Sequence, residues 1–203
     1  MALTNYTDLQ ASVATFLHRS DLAAIIPDLV QLAEAKLYKD IDAKLQDTIV
    51  QLSTSSNVET VALPVDFINM RSLVLISTPN TALDYYAPDA YFSAKPWNSV
   101  GRPTIYTIIN NTVYLQDIPD SNYVLKAVYR AQVPSLMTNS TNWIMTKFPN
   151  VYLYGTLCEA APYMMNDERL PTWEAKYQEA IKTVNQQDWA NAATLRVRGD
   201  VKL

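Results

Sequence analysis

The hydrophobic period of this 203-residue chain changes twice, and those two changes constrain its fold more than any single motif. Apolar residues recur at helical spacing up to about residue 45, alternate from about 46 to 133, and return to helical spacing after 134. Side chains repeat on one face every 3.6 residues in a helix and every 2 in a strand, so one element cannot serve both patterns. The layout predicts an α+β fold, a helical bundle built from N- and C-terminal helices with a β-rich insertion between them. The expected divisions are residues 1–45 and 134–195 for the helical body, 46–133 for the insertion, and 196–203 for a flexible basic tail.

Local signals fill in this outline. Thr7 and Gln10 fit a capping box, with Leu9, Val13, Phe16 and Leu17 on one helical face. "HRSD" ends that helix, and Ser20 can cap a short turn. Pro27 suits the first residue of a second helix, with Leu29, Leu32, Leu37 and Ile41 near one stripe. "DTIVQLS" and "VETVALP" read as strands around the polar turn "TSSN". Two alternating runs flank Asn110 and Asn111, which tolerate positive φ and mark a hairpin. Pro88 opens a short helical turn, and "DSNYVLKAVYRAQV" supplies a long strand.

Composition narrows the chemistry. Sixteen basic residues against twenty acidic ones give a formal charge of −4, which argues against a general nucleic-acid gripper. No apolar run approaches the roughly 20 residues of a membrane span, and "MALTNYTDLQ" lacks the layout of a signal peptide. Three dispersed glycines, Gly101, Gly155 and Gly199, exclude phosphate-binding and dinucleotide-binding loops. His18 is the single histidine and Cys158 the single cysteine. His18 reads as a helix C-terminal residue complementing the dipole, and Cys158 as a small buried hydrophobe. No metal site, cofactor or catalytic residue is therefore expected. Paired carboxylates for glycoside hydrolysis stay open, with Asp66, Asp84 and Glu159 as candidates. "RGD" at 198–200 is a three-residue match of the kind chance supplies.

The stretch "YLYGTLCEAAPYMMNDERLPTW" reads as a structural joint. Pro162 cannot donate to the carbonyl of Cys158, so the helix must kink or break there. Pro171 fits the first turn of a further helix, and Met164 and Met165 are adaptable fillers for the corner. Tyr163 is expected to pack with them against the N-terminal helices, and Cys158 to be shielded.

From this joint outward the sequence resembles a known family. "TNW…TKFPNVYLYGTLCEAAPYMMNDERLPTWEAKYQEAI" is similar to the C-terminal half of adaptor, or head-to-tail connector, proteins of short-tailed bacteriophages. "FLHRSDLAAIIPDLVQLAEAKL", "LPVDFINMRSL", "GRPTIYTI" and "YVLKAVYRAQVPSL" extend the likeness in the same order over nearly the whole chain. The resemblance implies a structural virion protein without enzymatic activity, assembled in the host cytoplasm. It implies a homo-oligomeric ring, usually dodecameric, between the portal protein and the tail nozzle or fibre proteins. Genomic DNA would pass through it without specific binding, and no membrane anchor is expected. The basic tail, with Arg196, Val197, Arg198, Val201, Lys202 and Leu203, is the expected portal contact. The alternative is a tail-associated carbohydrate-binding or glycan-cleaving module that uses the aromatic β segment.

Overall fold

A computed structural model describes residues 3–19, 21–94, 99–164 and 168–187. The chain divides into two compact units, one of Met1–Leu45 with Val133–Leu203 and one of Gln46–Gln132.

The first unit holds α1 (Tyr6–Leu17), α2 (Ile26–Asp40), α4 (Trp143–Lys147), α5 (Pro149–Ala160) and α6 (Leu170–Gln187). The cap of α1 is Asn5, whose side chain accepts from the Asp8 N–H at 2.9 Å. Thr7 and Gln10 therefore lie inside the helix rather than forming its cap. The helix stops at His18, which adopts a left-handed φ of 53° while its N–H bonds the Thr15 carbonyl. Pro27 stands in the first turn of α2, where a missing N–H costs nothing. Ile26, Leu29, Val30, Ala33 and Leu37 form the buried face of α2, whereas Leu32 is 52% exposed and leaves the expected stripe. Phe16 on α1 is likewise exposed. α5 packs against α1, α2, α4 and α6, and its buried Val151, Tyr152, Leu153 and Leu157 join the core of this unit. Full burial of each such aliphatic side chain is worth about 1.5–3 kcal/mol.

Among its described residues the second unit contains ten strands and one α-helix, α3 (Pro88–Ala94). One four-stranded sheet has the order β1 (Asp47–Ser53), β10 (Val124–Ala131), β3 (Phe67–Leu75), β4 (Thr81–Ala82). The other runs β2 (Thr60–Ala62), β8 (Thr112–Leu115), β7 (Ile105–Ile109), β5 (Asp84–Tyr85). β6 (Val100–Gly101) and β9 (Ile118–Pro119) form a separate pair. Leu73, Leu75, Tyr106, Val113, Leu115, Leu125 and Ala127 belong to the core of this unit. The β7–β8 turn places both Asn110 (φ 46°) and Asn111 (φ 60°) in the left-handed region, the backbone that a two-residue hairpin needs.

The expected fold class, a terminal-helix bundle with an inserted β segment, requires correction. The helices are short: α4 has 5 residues, α1 and α5 have 12 each, and α6, the longest, has 18. Pro149 separates α4 from α5, and α5 gives way at Ala160 two residues before Pro162, so no long bundle helix develops. The β-rich segment is a core in its own right, with several sheets and its own helix, rather than a decoration on a bundle. The expected β1–β2 hairpin is also absent. β1 pairs with β10, and β2 pairs with β8 in the other sheet.

Candidate functional site

The chemistry-bearing residues singled out by the sequence are divided between the two units, His18, Cys158 and Glu159 in the first and Asp66 and Asp84 in the second. Cys158 is half-buried in the last turns of α5, and burial raises its thiol above the ordinary value, which lowers thiolate content. The charged groups acting on it are Lys36, Glu174 and Glu159; His18, at the end of α1, is not among them. Asp66 accepts a hydrogen bond from Tyr129 at 3.0 Å, Asp84 is exposed in β5, and Glu159 sits on α5 in the other unit. Among the described residues no group of three or more His, Cys, Asp or Glu side chains is placed to hold a metal ion.

Around the expected joint, a 3-10 turn over Ala161–Tyr163 follows α5, and α6 begins at Leu170. Met164 packs against the helical core, while Pro162, Pro171 and Tyr163 are exposed. Tyr163 leaves the expected packing because α5 has ended before it and no longer carries the helical phase. Arg169, which the sequence reading missed, ties this region to α1. Its Nη1 donates to the Phe16 carbonyl at 3.2 Å, and its guanidinium lies 4.8 Å from the ring centre of Trp173. Met165 and the tail residues Arg196, Val197, Arg198, Val201, Lys202 and Leu203 lie outside the described residues, as does Ser20.

A buried polar network holds the connection between the two units' sequence boundary and α4. Glu34 on α2, 3% exposed, accepts from Ser135 Oγ at 2.6 Å and from the Leu136 N–H at 2.7 Å. The Tyr152 hydroxyl donates to Glu34 at 3.5 Å and accepts from Asn142 Nδ2 at 2.6 Å. Asn142 also donates to the Pro134 carbonyl and caps α4 by accepting from the Met145 N–H. Burial pushes the Tyr152 hydroxyl well above its ordinary value. Glu34 was legible in principle: it stands four residues after Val30 and three before Leu37, inside the apolar face of α2. A second tie joins the Tyr177 hydroxyl to Asp40 at 2.8 Å, with Lys36 over the ring.

In the β unit a groove of about 380 Å³ is lined by Phe67, Ile68, Met70, Arg71, Tyr85 and Tyr106, among others. Its described lining holds one cation, Arg71, among aromatic, aliphatic and amide side chains. The geometry is that of packing, ties and surfaces. A sequence model of the SU10 adaptor protein family matches residues 4–198. The chain belongs to the SU10 adaptor protein family. No curated protein matches it. Family membership across nearly the whole chain supports a phage adaptor with a structural role, a virion component associated with other head and tail proteins. No described helix is long and apolar enough to cross a membrane.

Proposed function

We propose that this adaptor assembles as a homo-oligomeric ring, dodecameric in the usual case, between the portal protein and the tail nozzle or fibre proteins, around the DNA exit channel. The observation that carries this reading is the family match over residues 4–198. Adaptor rings work through fit and contact rather than turnover, and the described residues offer long-range side-chain ties and open strand edges.

Within that reading the portal contact is assigned to Arg196, Val197, Arg198, Val201, Lys202 and Leu203. Residues 196–203 carry three basic side chains against one acidic, whereas the remaining residues carry 13 against 19. A basic segment on an acidic body suits carboxylates on a partner, and arginine offers bidentate geometry that lysine lacks. The joint residues Cys158, Pro162, Met164, Met165 and Pro171 are assigned a structural role, fixing the turn from α5 into α6. Acidic walls would let DNA pass without adhering.

Mixing with portal rings, followed by native mass measurement, tests the reading. The chain should join the portal as a multimer. Deleting residues 196–203 should leave the melt of the free chain nearly unchanged and weaken portal binding at least tenfold, about 1.4 kcal/mol. Unchanged binding would remove the tail assignment. No association with portal at any salt would overturn the ring.

A further inference from the structure

An unpaired strand edge invites pairing with another chain, and folded proteins blunt such edges with short strands, lysine, proline, bulges or cover. The two four-stranded sheets present four terminal strands. β4 and β5 have two residues each and β2 has three, so those edges are short. β1 has seven residues, pairs with β10 along its whole length without a bulge, and contains neither lysine nor proline. Ile49, the third of its residues, is 59% exposed. It is the long unblunted edge of the pair of sheets.

The same sheet is also open at its other side. β4 pairs only with Val74 and Leu75 of β3. Residues 67–71 of β3 therefore have β10 on one side and no strand on the other, among the described residues. They line the 380 Å³ groove together with Tyr85 and Tyr106, and Ile68 is 41% exposed.

We propose that β1 of one copy lies along residues 67–71 of β3 in the next copy, continuing the sheet from subunit to subunit; this rests on the ring reading above. A second copy suits this groove for three reasons. β1 and β3 both run antiparallel to β10, hence parallel to each other, so a head-to-tail repeat gives a regular parallel junction. Five paired residues span about 17 Å, enough for a register set by backbone hydrogen bonds. A head-to-tail contact makes a ring when its rotation closes, whereas two β1 strands related by a two-fold would stop at a dimer. Charge agrees. The one carboxylate of β1, Asp47, and the one guanidinium of the groove, Arg71, are bridged within each chain at 3.2 Å, so the junction brings together charges that are already compensated. A basic segment would bring like charge to the groove.

The test uses the full chain with Cys158→Ser, carrying Ile49→Cys or Ile68→Cys, and a short bis-maleimide. Mixed variants, in the assembled ring, should give a cross-linked dimer that neither variant gives alone. A chain carrying both should give a ladder of multimers. Ile49→Lys should reduce ring yield at least tenfold while the melt of the free chain stays unchanged. Cross-linking of Ile49→Cys alone would reveal a two-fold β1 contact and overturn the proposal. A ring that forms without the 49–68 link and tolerates Ile49→Lys overturns the junction and leaves the ring reading standing. A chain that stays monomeric with and without portal rings overturns both.

Discussion

The helical unit and the β unit solve the same problem, fixing segments far apart in sequence, by different means. A helix satisfies its backbone hydrogen bonds internally, so its position against a neighbour must be specified by side chains. In the helical unit this falls to polar ties over long separations: Glu34 to Ser135 and Leu136, Tyr177 to Asp40, Asn185 to the backbone of Asp40 and Asp42, and Arg169 to Phe16. Strands instead place their backbone groups in ladders between segments, and the β1–β10–β3 register needs little from side chains. The contrast shows in how buried polar groups are treated. Glu34 and Asn142 are fully engaged, whereas Thr107 on β7 is completely buried and its hydroxyl has no partner among the described residues. Side-chain precision is concentrated where the backbone cannot provide it.

The largest effect should come from breaking the central tie of the helical unit. Glu34→Ala leaves the Ser135 hydroxyl and the Leu136 N–H without their buried acceptor. Losing hydrogen bonds to a charged group and stranding their donors should cost about 3 kcal/mol in urea unfolding. Glu34→Gln, which keeps the shape and one acceptor, should cost less than half of that. An unchanged midpoint for Glu34→Ala would show that the apolar packing of α2 and α5 fixes the 133–142 connection unaided.

Tyr177→Phe removes a single tie and should cost about 1.5 kcal/mol. It also sharpens the comparison through pH. Burial, followed by the hydrogen bond to Asp40, pushes the Tyr177 hydroxyl above its ordinary value of 10.0, and burial does the same to Tyr152. The folded state therefore keeps protons that the unfolded chain releases from about pH 10 upward. The stability these groups contribute is complete below that pH and is lost as pH rises past it. Thermal melts of the wild type should fall steeply above pH 10, and those of Tyr177→Phe less steeply; parallel curves would refute the assignment.

The smallest effect has the opposite sign and lies in the β unit. Thr107→Val replaces an unpartnered buried hydroxyl with a methyl of similar volume and should stabilise by about 1 kcal/mol. A destabilised variant would mean that the hydroxyl is engaged in solution and that the β unit also relies on side-chain precision.

Local periodicity, proline and turn chemistry made much of this protein legible in advance. β1 over "DTIVQLS", the Asn110–Asn111 turn, Pro27 in the first turn of α2 and Pro88 at the start of α3 all follow from nearest-neighbour physics that any chain carries with it. The family resemblance was legible too, because it lies in ordered blocks of residues rather than in contacts. Other features were decided only by tertiary structure. The sequence places β1 beside β2, yet they pair in different sheets, because alternation records which residues face inward and not which strand lies alongside. Leu32 has the spacing of a core residue and stands exposed, because the buried arc of α2 is set by α5 packing on it. Glu34 lies on an apolar face as an apparent misfit, and becomes intelligible only when Ser135 and Leu136, about a hundred residues away, deliver its hydrogen bonds. Short-range interactions chose the elements. Which of them met, and which polar groups had to be satisfied there, depended on long-range burial that no window of sequence contains.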